Sequence, residues 1–130
     1  MTARFSLALL SLSFAAACGG DDGGDTPADA SIDGATAAGA VMVTCPASPA
    51  ATVISTDASN SYMPMATTIT QGQVVKFTMS ASHNVATLNA ASDPALLVGF
   101  GQERCFMFTK AGTFSFKCTP HDFTGSVTVN

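Results

Sequence analysis

The chain has no tryptophan, one tyrosine, two histidines and only five lysines and arginines in 130 residues. The few bases form no cluster, which argues against a nucleic-acid partner, since phosphate neutralisation needs a positive stripe or patch. No acid/base pair, no nucleophile beside its base and no phosphate-binding glycine loop is present, so no enzyme chemistry is marked. "GFGQE" (Gly99–Glu103) has no helix pattern after it and reads as a bend. Nine phenylalanines supply most of the aromatic set, which suits a dry core and names no function.

The apolar run from about Phe5 to Ala17 follows the single base Arg4 and is too short to span a bilayer. Small residues close it, so residues 1–17 read as a secretion signal. "AAAC" (Ala15–Cys18) resembles the bacterial lipoprotein processing box, although Ala15 stands where leucine is usual. Lipidation at Cys18 also accounts for a cysteine that would otherwise be an exposed thiol in an oxidising compartment. Residues 18–40 are then the lipidated cysteine and a tether, with Ile32 as the only large apolar residue and five of the nine acids. Such a segment buries too little surface to offset its ordering entropy. From Val41 onward Asp57, Asp93, Glu103 and Asp122 balance Lys76, Arg104, Lys110 and Lys117, so the acidic pI belongs to the tether. The expected location is the bacterial cell envelope, on the periplasmic side or at the outer membrane, with the lipid as the only membrane contact.

Residues 41–130 suffice for one modest domain. Their patterning has a period of two. Val75, Phe77 and Met79 alternate with Val74, Lys76 and Thr78; Phe114, Phe116 and Cys118 alternate with Thr113, Ser115 and Lys117. Phe106 and Phe108 share a face opposite Cys105 and Met107, and Val127 pairs with Val129. Further strands are expected at Val41–Thr44, Thr52–Thr56, Thr67–Thr70 and Asn84–Leu88, with turns at "TQGQ", "SASH" and "KAGT". Only Ala90–Val98 has room for a helix, and Pro94 confines it to the later part. Seven to eight short strands with apolar-in, polar-out alternation predict an all-β two-sheet sandwich.

In "KCTPHDFTG" (Lys117–Gly125) a cysteine and a histidine stand three positions apart. Cys118 is either half of a disulfide beside an incidental histidine or, with His121, part of a metal site. The other histidine, His83, lies in "SASHNV" between two strands. Two imidazoles and a thiolate make the soft N₂S set that copper uses in electron-transfer sites.

"YMPMATTITQGQVVKFTM", then "HNV", then "AGTFSFKCTPH", then "GSVTV" resemble, in that order, the cupredoxin family of small blue copper proteins, with amicyanin, plastocyanin and pseudoazurin as the most similar members. The resemblance runs from Tyr62 to Val129. It implies Greek-key connections between the strands of the sandwich and one copper ion, cycling between Cu(I) and Cu(II), on His83, Cys118 and His121. It also implies that Asn84 ties the two ligand loops together and that an apolar collar of Pro120, Phe123 and Pro64 around His121 docks a redox partner protein. A monomer is expected. One departure concerns the weak fourth ligand: the family's axial methionine is absent, and Thr124 stands at that position. The alternatives are a site capped by Phe123 or the loop backbone, one with Thr124 oxygen, a carbonyl or water as weak ligand, or a site that has lost copper. With Cys18 lipidated and Cys118 on copper, as the resemblances imply, Cys45 and Cys105 form the expected disulfide; two separate thiols, or a Cys105–Cys118 bridge that would destroy the site, are the alternatives. Two other functions compete with electron transfer: a copper carrier or buffering module at the envelope, and a tethered sandwich without metal. An enzyme is not expected, because the family's copper oxidases need more histidines than two.

Overall fold

The computed structural model describes residues 38–130. The signal segment, Cys18 and the tether lie outside the described residues, apart from the tether's last three positions, of which Ala40 opens the first strand. Nine strands follow: β1 (Ala40–Val43), β2 (Ala51–Thr56), β3 (Ser59–Met63), β4 (Ala66–Ile69), β5 (Val74–Thr78), β6 (Ala86–Thr87), β7 (Glu103–Phe108), β8 (Gly112–Lys117) and β9 (Thr124–Val129). They form two sheets, ordered β1-β7-β5-β2-β3 and β4-β9-β8-β6. All pairs are antiparallel except β2 with β5 and β4 with β9. The result is an all-β sandwich of the Greek-key, cupredoxin-like kind.

The alternation read from the sequence sets the inner faces. Val75 and Phe77 of β5, Phe116 of β8 and Val127 and Val129 of β9 are buried, and Met79 and Cys118 continue the same faces past the strand ends. Phe77 lies at the centre, with ring centroids 5.9 Å from Phe106 and 5.5 Å from Phe116, both edge-on. Cys105 faces away from Phe106 and Phe108 but is also buried, bonded to Cys45 just beyond β1.

Two expectations differ from the structure. The strand count is nine rather than seven to eight because "SNSYM", polar except for its end, forms β3 on the strength of its pairing with β2. The one segment with room for a helix, Ala90–Val98, forms turns instead. There Ser92 Oγ accepts from the Leu88 and Asn89 N–H groups, and the buried Asp93 carboxylate accepts from Ala95, Ala40 and Gly39. Such local side-chain bonds compete with helix, and Pro94 removes a donor.

Candidate metal centre

Two loops at one end of the sandwich carry the nominated side chains. The first runs from Met79 to Val85, between β5 and β6, where the His83 N–H donates to Ser80 O at 3.2 Å. The second joins β8 to β9. Its neck is closed by Cys118 N–H to Phe123 O and Asp122 N–H to Cys118 O, each 2.9 Å. Asp122 takes φ 54°, a left-handed conformation that aspartate tolerates, and ion-pairs with Lys117 at 3.0 Å.

Asn84 joins the loops. Its side chain donates to Thr119 Oγ1 at 3.0 Å and accepts from the Thr119 N–H at 2.8 Å, while its carbonyl accepts from Tyr62 Oη at 2.6 Å. Tyr62 is itself buried, edge-on to Phe116 at 4.9 Å and Phe123 at 4.6 Å. Burial, and secondarily the Cys118 sulfur, push its hydroxyl pKa above the ordinary phenol range. It is therefore a donor throughout the physiological range. Gly125 makes this packing possible: a Cβ there would meet Phe116 at 2.6 Å and Tyr62 at 2.9 Å.

Cys118 is fully buried and, with Cys45 and Cys105 bonded to each other, is the one free cysteine among the described residues. Its Sγ lies 3.7 Å from His121 Nδ1. His83 is buried and stands edge-on to the exposed His121 ring, with centroids 4.9 Å apart. Phe123 packs edge-on to His83 at 4.9 Å and roughly parallel to His121 at 6.3 Å. Cys118, His121 and His83 are thus brought to one place.

Thr124 is not. It opens β9 opposite Lys117, on the outward face shared with Ser126 and Thr128, and lines a shallow hollow with Met65, Leu88 and Ser115. The neighbouring Phe123, not Thr124, covers the histidine pair. Met63 and Met65 are more than half exposed beside the β3–β4 turn.

Among the described residues, no three His, Cys, Asp or Glu side chains converge tightly enough to hold a metal as they stand. His83 Nδ1 faces Ser80 Oγ at 3.1 Å and its Nε2 faces Asn60 Oδ1 at 3.4 Å. The donor chemistry nonetheless fits copper, with one unpaired thiol and two imidazoles in a largely apolar setting. Asn84 was legible as the tie between the loops. Ser80 and Asn60 were not, since "TDASN" and "SASH" carry only turn signals.

Among curated protein sequences none matches the chain. Solved structures of amicyanin do. A reduced form of a tryptophan-to-tyrosine variant is 24% identical, with a TM-score of 0.58, covering 71% of this chain and 99% of that one. Amicyanin from Paracoccus versutus (Thiobacillus versutus) is 22% identical, with a TM-score of 0.56 and coverage of 72% and 99%. The Cu(I) form of a methionine-to-alanine amicyanin variant is 25% identical, with a TM-score of 0.56 and coverage of 70% and 98%. These likenesses establish the shared fold. The profile of the copper binding proteins of the plastocyanin/azurin family matches residues 50–130, nearly all of the sandwich. The chain belongs to that family.

Proposed function

We propose that His83, Cys118 and His121 hold one copper ion and that the domain is a one-electron carrier of the cell envelope, tethered by a lipid at Cys18. The observation that carries this reading is a wholly buried free thiol with one imidazole nitrogen 3.7 Å from its sulfur and a second imidazole edge-on to the first. Membership of a copper-binding family and the likeness to a Cu(I) amicyanin support it. Copper, when bound, supplies reversible one-electron chemistry.

The chain's own residues do the rest. Phe116, Phe123 and Tyr62 pack around the cysteine and His83 and keep water out. Asn84 fixes the distance between the two loops by paired hydrogen bonds, the kind of outer support that orients ligands. A rigid sandwich under such loops moves little on redox change, which favours fast transfer. His121 and Pro120 are exposed, and a redox partner docks there in a brief, small-area contact. Phe123 packs against both histidines and would cover the ion on that side.

The test is spectroscopic. The chain loaded with one equivalent of Cu(II) should show the intense visible charge-transfer band of a thiolate–copper bond and a reversible one-electron wave, and Cys118→Ser should abolish both. A colourless wild type that still binds copper would replace electron transfer with a carrier or buffering role. No copper binding would remove both readings.

A further inference from the structure

β2 and β5 pair in parallel as far as Ile54 and Thr78, after which β2 turns into β3 and β5 runs into the loop that carries His83. The contact between the two segments does not stop there. Ser55 Oγ accepts from the Ser80 N–H at 3.1 Å, and the Asp57 carboxylate accepts from the Ser82 N–H at 3.3 Å and from the Ser82 hydroxyl. Where the backbone ladder ends, side-chain oxygens of one segment continue it along the other: 54 with 78, then 55 with 80, then 57 with 82. Each of these bonds spans 25 positions, so they are not the local turn contacts that serine and aspartate make by default. Ser55 is buried and its hydroxyl is directed to Met79 Sδ at 3.6 Å, which leaves its lone pairs for Ser80. The Ser82 hydroxyl is the largest of the causes that hold the Asp57 pKa below the ordinary carboxylate value, so Asp57 is a charged acceptor at neutral pH.

The two ends of the loop are fixed by backbone, through Met79 N–H to Gln102 O at 2.9 Å and through Val85 paired with Val98. Between them the chain neighbours of buried His83 are held by different elements. Asn84, after it, is held by Thr119 of the cysteine loop; Ser82, before it, is held by Asp57 of the β2–β3 turn. Asn84 sets the spacing of the two ligand loops, while Ser55 and Asp57 set the height of the His83 loop against the larger sheet. We propose that Ser55 and Asp57 are positioning residues for His83, a side-chain continuation of the β2–β5 ladder that presents the imidazole to Cys118 and His121 before metal arrives. Its purpose rests on the copper reading, but the clamp is a property of the metal-free chain.

In the ¹⁵N-labelled full chain without metal, the Ser80 and Ser82 amides should exchange with solvent more slowly, relative to their intrinsic rates, than the amide of exposed Ala81 between them. Asp57→Ala should speed exchange at Ser82 about tenfold, the weight of one hydrogen bond to a charged group, and weaken Cu(I) binding about 10–100-fold. Asp57→Asn keeps an accepting oxygen in the same place and should restore both. Glu103→Gln, on the exposed side of the same sheet, should leave Cu(I) affinity unchanged, which separates positioning from a general loss of stability. Ser55→Ala should act likewise at Ser80; if that buried change prevents folding, the Asp57 variants, at an exposed turn position, carry the test alone. Ser82 exchange that is equal in wild type and Asp57→Ala, Ala and Asn variants that behave alike, or a Cu(I) affinity unmoved when the loop loosens overturns the inference. Faster exchange with rescue by Asp57→Asn, in a chain that binds no Cu(I), sustains the clamp and removes the copper reading instead.

Discussion

Phe123 and Thr124 are adjacent in sequence and face opposite ways, and the difference is measurable. Thr124→Met adds its thioether to the outer face of β9, so the spectrum and reduction potential of the copper-loaded protein should match wild type. Phe123→Met replaces a ring that touches both histidines and Tyr62, and should alter the visible spectrum. Gly125→Ala drives a methyl into Phe116 and Tyr62, which sit behind Cys118. It should destabilise the fold by about 1–3 kcal/mol, the usual range for overpacking, read as a lower urea midpoint. At this scale the chemically distinctive residues were legible: His83, Cys118, His121 and Asn84 each stand in a motif. What faces His83 was not, because Ser80 and Asn60 are common turn-formers, and the meeting of Asn60 with His83 depends on how two separate segments are folded together. Nor was the direction of Thr124, because the face it joins is set by where β9 begins its pairing with β8, opposite Lys117.

Strands legible in the sequence were those with one greasy face. β5, β8 and β9 follow their period-two alternation, and the sandwich follows from them. β3 was invisible because its only buried large side chain is Tyr62; pairing with β2 decides its state, and pairing partners are not written in a local pattern. Between β5 and β7, Lys76 Nζ lies 2.8 Å from Glu103 Oε2, and Thr78 donates to the same oxygen at 3.3 Å. The lysine bond is the largest cause holding the Glu103 pKa below the ordinary glutamate value, with Lys76 charge and Thr78 adding smaller contributions. A carboxylate with a depressed folded-state pKa contributes stability that is present above its unfolded pKa and lost as pH falls through the folded one. Glu103→Gln should therefore be less stable than wild type at pH 7, and the gap between their urea midpoints should close as pH drops below about 4. The effect should be small and weakened by salt, since the pair is surface-exposed.

For the molecule as a whole, the disulfide secures β1 to the sheet. Cys45 and Cys105 are 60 positions apart, and closing a loop of that size restrains the unfolded chain by about 4 kcal/mol on the chain-entropy account. Cys45→Ser combined with Cys105→Ser should lower the thermal midpoint of the metal-free protein, leaving Cys118 as the one cysteine of residues 38–130 in a denatured-state thiol titration. The pairing was readable only as the remainder once other cysteines had roles.

The strand order of the smaller sheet has a further consequence, in time. β9 lies between β4 and β8, and its parallel partner β4 ends at Ile69. Ala66 must wait for Ser126 to be synthesised, and until then β4 has no neighbour in its own sheet. The loop from Cys118 to Phe123 takes its shape only when β9 has docked on β8. Local folding cannot close such a sheet early, because the long-range contact has to be reached first. The smaller sheet thus cannot close until nearly the last strand is made, so the order of synthesis makes β9 the piece that completes it.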